Sequence, residues 1–341
     1  MNTPKPGVIP VEPTPWPAPY KDRSAGLLIF GILTLLLGCL AGLFVPLMLF
    51  GQAAAARTGN PPTPVAALLP GMCVYGVLAV ALIWLGIGSI MARRWARALL
   101  LIFSWTWLVM GVVTTLFMVF FMPKMLANTG AGTAEVGAGQ HHSLGSAEID
   151  TIMVIMLVVF GVLFVLLPAA WVFFYKSRHV QATCETRDPV TRWTDACPLP
   201  VLGFCLWLAF GMLMLLVMPV VGHGVFPFFG FFLSGAPGTL AYVVVAAVWG
   251  YCAWSLYKIE QRGWWLILIA LCLFTLSSLL TYARHDITDM YRLMGYPEAM
   301  IEQMQKFDFL AGNHMAWLTA LSMLPFLGYL LFIKKFLRPK S

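Results

Sequence analysis

Long runs of apolar residues, broken only by short polar segments, form the dominant pattern along this chain. Eight runs each supply about the 20 apolar residues that a helix needs to cross a bilayer. They cover residues 25–50, 65–91, 98–122, 149–175, 199–221, 239–257, 264–283 and 315–333. Strands of a membrane barrel would alternate lipid-facing and lumen-facing residues over about ten positions, and these runs do not alternate. The pattern therefore predicts an all-α polytopic transmembrane protein with eight spans.

The eight runs divide into two sets of four that carry similar residues at similar places. These positions recur in chain order, and each first-set residue is given with its second-set counterpart: Gly38 and Gly211, Pro46 and Pro219, Pro70 and Pro237, Tyr75 and Tyr242, Pro168 and Pro325. Because four is an even number of spans, both sets must enter the membrane in the same sense, as parallel repeats. We predict a first four-helix repeat at residues 24–178, a linker at 179–196 and a second repeat at 197–336.

Basic residues are distributed unevenly between the two ends of the predicted spans. A short turn containing Arg93, Arg94 and Arg97 separates the second and third runs, and Lys258 and Arg262 occupy the corresponding turn of the second set. If the N-terminus is cytoplasmic, 16 of the 21 lysines and arginines lie on the cytoplasmic side. Cytoplasmic loops carry such an excess of basic residues, so the pattern predicts that both termini are in the cytoplasm. We expect a multi-pass protein of a bacterial inner membrane, with a cytoplasmic linker.

Both ends of the sequence lie outside the apolar runs. Residues 1–23 contain seven prolines, and no apolar run closely follows a basic start, so we do not expect a signal peptide. Such a segment favours polyproline II structure and either stays solvated or presents Pro10, Pro13 and Trp16 to a groove on a protein partner. Residues 337–341 form a short basic C-terminal tail.

Composition places the chain in lipid and changes the meaning of its charge. Apolar residues make up 60% of the chain and charged residues 10%, with a formal net charge of +7. In a soluble protein this charge would suggest nucleic acid, but here the cations follow the membrane topology, so we expect no nucleic-acid partner. Five of the seven cysteines fall inside apolar runs, whereas Cys184 and Cys197 lie in the loop between the fourth and fifth runs, where we expect reduced thiols. We expect neither a zinc site there nor any cofactor.

The middle of each predicted span lacks Asp, Glu, Lys, Arg and His. Ion-coupled transporters and most intramembrane enzymes place such groups at membrane depth, because their chemistry requires them. The pattern favours a non-catalytic accessory, scaffold or assembly subunit that contacts the lipid bilayer and other membrane proteins. An enzyme is disfavoured but not excluded.

Two alternative functions depend on named residues. A carrier or binding protein for a neutral or hydrophobic small molecule would hold its ligand between the repeats, beside Tyr75 and Tyr242. An enzyme or metal-binding protein would use a cluster of imidazole and carboxylate groups on the outer side, which are groups that bind zinc. The residues of that cluster are His223, His285, Asp289 and His314. The simpler interpretation is that they are polar residues at helix ends, where the membrane interface favours them.

Two outer segments are apolar but too short to span the membrane twice. Residues 222–238 contain five phenylalanines around Pro227 and Gly230, and we predict that they lie in the membrane interface or against a partner. Residues 286–310 have apolar positions at spacings of three and four, which predicts two short amphipathic helices broken at Gly295.

Overall fold

The structure, a computed structural model, describes residues 20–57, 65–128, 133–135, 141–143, 146–296, 298, 301–302 and 314–337. Within that part of the chain, eight helices are long and apolar enough to cross a membrane, and each overlaps one predicted run. The prediction of an all-α polytopic membrane protein is confirmed. Pro10, Pro13 and Trp16 lie outside the described residues, so their protein partner stays a prediction.

The first four spans are built from five helices. Their bounds are α1 Ser24–Arg57, α2 Val65–Ile90, α3 Arg94–Asn128, α4 Ser146–Gly161 and α5 Leu167–Lys176. A five-residue π-helix, Val162–Leu166, joins α4 to α5, so these two helices form one span, Met153–Lys176. A two-stranded antiparallel sheet, β1 Thr133–Glu135 with β2 His141–Ser143, lies between α3 and α4 in the chain.

Pro168 explains why the helix is irregular at this point. Proline has no N–H to donate to the carbonyl four residues back, which here belongs to Phe164. This carbonyl lies against Gly111 of α3, and a Cβ added at residue 111 would overlap the Phe164 oxygen. Glycine alone allows so close an approach, and its Cα–H groups are weak donors to such a carbonyl. The contact therefore sets how the third and fourth spans cross.

The second four spans are single helices, preceded by a polar helix in the linker. The linker contains α6 Arg178–Arg187 and a 3-10 turn at Trp193–Asp195. The helices that follow are α7 Leu199–Val221, α8 Ala236–Tyr257, α9 Gln261–Tyr282, the short α10 Ile287–Leu293 and α11 His314–Ile333. The last of them continues into a 3-10 turn, Lys334–Phe336. α10 stands where the first amphipathic helix was predicted, and Gly295 follows it with a φ of 76°.

The helices of each half pack in the same order. α1 packs against α2, α2 against α3 and α3 against α5, while α7 packs against α8, α8 against α9 and α9 against α11. The buried core of the first half includes Leu27, Leu100, Trp171, Tyr175 and Val180. That of the second half includes Val201, Cys252, Leu256, Ile267 and Leu330. The two halves meet where α2 and α3 contact α7.

Two turns at one end of the bundle have the same backbone geometry. One joins α2 to α3 and the other joins α8 to α9, and we call the end that carries them the basic end. Ala92 and Ile259 both have a positive φ, of 52° and 59°, although neither is glycine. The same three backbone hydrogen bonds form in each turn. In the first turn, the N–H of Met91 donates to Ile87, that of Ala92 to Ser89 and that of Arg93 to Gly88. In the second turn, the N–H of Lys258 donates to Trp254, that of Ile259 to Leu256 and that of Glu260 to Ser255.

The phenylalanine-rich segment forms a β-hairpin at the end of the bundle opposite the basic end. β3 Phe226–Phe228 pairs antiparallel with β4 Phe231–Leu233. The two connecting residues, Phe229 and Gly230, have positive φ values of 42° and 98°, as a two-residue hairpin turn requires. Sequence reasoning located this segment between two spans but missed its strands.

Candidate functional site

The predicted metal ligands include a pair at the end of α9 and the start of α10. His285 Nδ1 is 3.7 Å from Asp289 Oδ2, so these two residues, four positions apart in the sequence, share a location. Arg292 Nη1 is 3.2 Å from the other oxygen, Asp289 Oδ1, and forms an ion pair with it. The His285 ring also packs on Phe232 of the hairpin, with 5.5 Å between ring centroids. An arginine on the same carboxylate makes Asp289 a poorer ligand for a metal cation.

The other two histidines of this cluster lie at the ends of spans. His223 follows α7 with a positive φ of 50°, and its Nε2 lies near Gly295. His314 begins α11, but its side chain is outside the described residues. Among the side chains that are described, no group of three or more His, Cys, Asp and Glu residues could hold a metal ion. The four-residue metal site therefore stays a prediction.

The two predicted ligand-binding tyrosines each pack within their own half. Tyr75 stacks on Phe44, with 5.2 Å between ring centroids. The Tyr242 hydroxyl donates to the Val225 carbonyl oxygen at 2.9 Å, and its ring meets that of Phe226 edge-on. Tyr242 thus holds the start of the hairpin in place. A ligand site shared by these tyrosines stays a prediction.

Hydroxyl groups of α9 hold the tip of the hairpin. Phe229 N–H donates to Ser277 Oγ at 2.9 Å, and Gly230 N–H donates to Thr281 Oγ1 at 3.0 Å. The Ser277 hydroxyl in turn donates to the Pro227 carbonyl oxygen at 3.2 Å. Such bonds matter at a membrane boundary, because backbone polar groups that face lipid have no water to bind. The hairpin is therefore firmly attached to the bundle.

A network of charged side chains covers the basic end, with Asp188 at its centre. This residue is 2% exposed and follows the last residue of α6. Its carboxylate oxygens lie 3.6 Å from Arg93 Nη1 and 3.4 Å from Arg192 Nε, and the Arg94 backbone N–H donates to it at 3.4 Å. Arg94 is the first residue of α3, so the carboxylate also meets the positive end of that helix dipole. The basic turn, from which the sequence predicts the membrane topology, therefore also binds the end of α6.

Arg97 extends this network toward the core of the first half. Its Nε donates to the Tyr175 carbonyl oxygen at 3.2 Å, and its Nη2 donates to Gln181 Oε1 at 3.3 Å. The Ser89 hydroxyl donates to the Leu27 carbonyl oxygen, so the Tyr175 hydroxyl, 2.7 Å away, donates to Ser89 Oγ. These bonds connect α1, α2, α3, α5 and α6.

The segment before α1 is bound to α6. Arg23 N–H donates to Thr183 Oγ1 at 3.2 Å, and Arg187 Nη2 is 3.5 Å from Asp22 Oδ2. Hydrogen bonds from the Ser24 backbone N–H and hydroxyl, together with the Arg187 guanidinium, lower the pKa of Asp22 below its usual value. α6 also contacts α3 and α5, so it lies across the basic end of the first half.

A pocket of about 290 Å³ lies between α3, α6, the Trp193–Asp195 turn and the start of α7. Its charged lining residues are Arg94, Arg97, Glu185 and Asp195. Two thiols, those of Cys184 and Cys197, also line it, and burial raises the pKa of each to about 11. Both thiols are therefore protonated at neutral pH and are weak nucleophiles.

The sequence does contain a signal for this charged network, which counting charges by side did not exploit. Glu185, Asp188 and Asp195 are acidic residues on the side where basic residues predominate. Buried charges in proteins are paired. These carboxylates all lie in one linker, on the same predicted side of the membrane as the basic turn. Pairing the acidic linker with Arg93 and Arg94 would have predicted the network, but not the pocket.

Comparisons with known proteins do not identify this chain beyond its architecture. The chain matches no model of a known protein family, no curated protein and no solved structure. The described structure is that of an all-α integral membrane protein with eight apolar helices of spanning length.

Proposed function

We propose that this chain is a non-catalytic accessory or assembly subunit whose fourth span binds a transmembrane helix of a partner membrane protein. One observation carries this proposal. Within an apolar stretch of 18 residues in Met153–Lys176, 6% of the residues are buried inside the protein. The corresponding share is 33% for Leu199–Val221 and for Gln261–Tyr282. The last span, Ala316–Phe336, has 17%. The fourth span is thus the one that its own chain covers least.

The uncovered face of this span has the features of a helix-packing surface. Val154, Val158, Val162 and Leu166 recur every four residues and are all exposed, so they form one ridge. Gly161 lies beside this ridge, and the space that its Cβ would occupy is open. Helices in lipid associate through close packing at ridges and small residues, because lipid tails are as apolar as the helices. A second membrane helix would fit this surface.

Site-specific photo-crosslinking tests for the partner. A benzoylphenylalanine at Val158 or Leu166 should form an adduct with one integral membrane protein in native membranes, which mass spectrometry then identifies. Ile269 of α9 is a matched control, because it is also β-branched and has 53% exposure against 59% for Val158. We expect adducts with lipid alone at Ile269.

A substitution on the same face separates a partner from chance proximity. Gly161→Leu fills the open space and should abolish the protein adduct at Val158. The thermal stability of the purified chain should not change, because no atom of the chain lies within 4 Å of the added Cβ. Lipid adducts alone at all three crosslinking positions would refute a protein partner on this face.

We also propose that the eight spans are two parallel four-helix repeats, at residues 24–178 and 197–336. The common helix order and the matching turns support this. A close contact at these turns gives further support: Gly88 packs against Ala96 in the first half, and Gly263 packs against Ser255 in the second. The glycine is at the end of α2 in the first half and at the start of α9 in the second half. Both halves therefore have a close contact at the same place, but the glycine is on the first helix in one half and on the second helix in the other.

A polar contact between the third and fourth spans of each half supports the same proposal. Arg97, near the start of α3, donates through Nε to the Tyr175 carbonyl oxygen near the end of α5. Trp264, near the start of α9, donates through Nε1 to the Leu330 carbonyl oxygen near the end of α11 at 2.7 Å. The role is the same but the donor differs: a half-buried guanidinium in the first half and an indole N–H in the second.

For orientation, we propose a bacterial inner membrane with both termini and the basic end in the cytoplasm. Lys176, Lys258 and Lys334 stand at span ends on the same side as the basic turn, which agrees with the excess of cations expected in cytoplasmic loops. The linker with α6 is then cytoplasmic, and the hairpin and α10 face outward.

A further inference from the structure

The pocket at the basic end contains buried polar atoms that make no hydrogen bond within the described residues. Thr194 is 2% exposed, and its Oγ1 has no hydrogen-bond partner among the described residues. Arg94 Nε, also buried, likewise makes no hydrogen bond within the described part of the chain. Both residues line the pocket. A buried donor or acceptor without a partner is unfavourable, so each such atom in a native site calls for something to bind it.

The charges that line this pocket balance, but they are loosely paired. Arg94 Nη2 is 3.9 Å from Glu185 Oε1, and Arg94 Nε is 3.6 Å from Asp195 Oδ2. Strong bonds between a guanidinium and a carboxylate measure about 2.7–2.9 Å, so both contacts are long. Arg97 supplies a second positive charge opposite the two carboxylates. Cationic and anionic groups therefore face one cavity without neutralising each other at close range.

We propose that this pocket binds a small zwitterion, a molecule with one oxyanion group and one primary ammonium group. The oxyanion would accept hydrogen bonds from Arg94 Nε and the Thr194 hydroxyl, the two buried groups that make no hydrogen bond in the described part of the chain. The ammonium would donate to Glu185 and Asp195. An anion without an ammonium group fits less well, because the two carboxylates would repel it. The volume of about 290 Å³ is at the small end of ligand pockets and suits a ligand with roughly ten non-hydrogen atoms.

Two sources can supply this chemistry. One is a soluble metabolite with an amino group and an acidic group, and the other is the headgroup of a phospholipid that carries an ethanolamine. Lipid headgroups lie at the level of span ends, and the pocket is bounded by the first turn of α3 and the start of α7. Phosphoethanolamine has the functional groups of both sources and is the first probe.

The test uses the full chain in detergent and measures the midpoint of thermal unfolding. Phosphoethanolamine should raise the midpoint, because a ligand that binds only the folded state stabilises it. Inorganic phosphate and ethylamine, tested separately, should each have a much smaller effect. In a second arm, nanodiscs of phosphatidylethanolamine are compared with nanodiscs of phosphatidylglycerol. A response to the free probe with no difference between the two kinds of nanodisc indicates a soluble source, and a higher midpoint in phosphatidylethanolamine nanodiscs indicates a lipid.

Thr194→Val with Thr183→Val as its control makes the test specific to the pocket. Thr194→Val removes a hydroxyl that has no partner but keeps the shape, so the protein should fold and bind phosphoethanolamine, or respond to the ethanolamine lipid, at least tenfold more weakly. Thr183 is in α6, outside the pocket lining, and its hydroxyl bonds Arg23 N–H and the His179 carbonyl oxygen. Thr183→Val should lose stability but keep the ligand response of the unaltered chain.

Three results would overturn the proposal. The first is no response of the unaltered chain in either arm. The second is an equal response to phosphate alone or to ethylamine alone, which would mean a simple ion site. The third is the same ligand response in Thr194→Val as in the unaltered chain.

Discussion

At the scale of single residues, the buried polar groups of the basic end differ in how well their hydrogen-bonding capacity is satisfied. Asp188 is buried but bound by two arginines and a backbone N–H, whereas Thr194 is equally buried and has no partner in the described chain. Sequence reasoning could predict that His285 and Asp289 lie close together, because they are four residues apart, although only Asp289 is in a helix. It could not predict the burial of Asp188, since that depends on how α6 packs on α3.

The buried thiol of Cys184 gives a prediction for pH. Burial raises its pKa from about 9 to about 11, so the folded state holds this proton more tightly than the unfolded state. Its contribution to stability is therefore intact below pH 9 and is lost as the pH rises from 9 through 11. Two pKa units correspond to about 2.7 kcal/mol at most. Thermal unfolding measured across this range should show a steeper loss for the unaltered chain than for Cys184→Ala, and parallel curves would contradict the prediction.

At the scale of elements, the spans could be predicted because each is a run of apolar residues that only lipid can accommodate. The structure agrees with all eight, although α1 continues to Arg57 and α3 to Asn128. α6 was missed because its sequence is polar and has no apolar run. A local signal existed in Ser177, whose hydroxyl oxygen accepts from His179 N–H at the start of the helix. The β3–β4 hairpin was missed because its turn, Phe229-Gly230, is not one of the usual hairpin pairs.

The crossing of the third and fourth spans gives a prediction for Gly111. Gly111→Ala should destabilise the protein by about 1–3 kcal/mol, because its methyl group would overlap the Phe164 carbonyl oxygen, which the backbone cannot easily move. Gly76→Ala in α2 is the matched control, since no atom lies within 4 Å of its added Cβ. Unfolding in denaturing detergent, followed by tryptophan fluorescence, should separate the two variants. Equal stability of both would show that the spans can shift apart without cost.

At the scale of the whole molecule, the two halves follow one plan but differ in what covers them. They share helix order and turn geometry, yet α6 lies across the basic end of the first half, and the hairpin and α10 lie at the opposite end of the second. Two of the added elements, α6 and α10, place charged side chains at opposite ends of the bundle. This polarity is the physical basis for expecting different surroundings at the two ends, since the positive-inside pattern selects the side that faces the cytoplasm.

Labelling with a membrane-impermeant maleimide tests that orientation. Val190 in the linker is 60% exposed, and Ala283 is exposed at the outer end of α9, so cysteines can be placed there without disturbing the core. In intact cells, Ala283→Cys should react and Val190→Cys should react only after permeabilisation. The native Cys184 and Cys197 give little background because both are buried. The reverse pattern would place the basic end outside. Reaction of both positions from one side would require an even number of crossings between them, and it would contradict the three spans α7, α8 and α9 themselves.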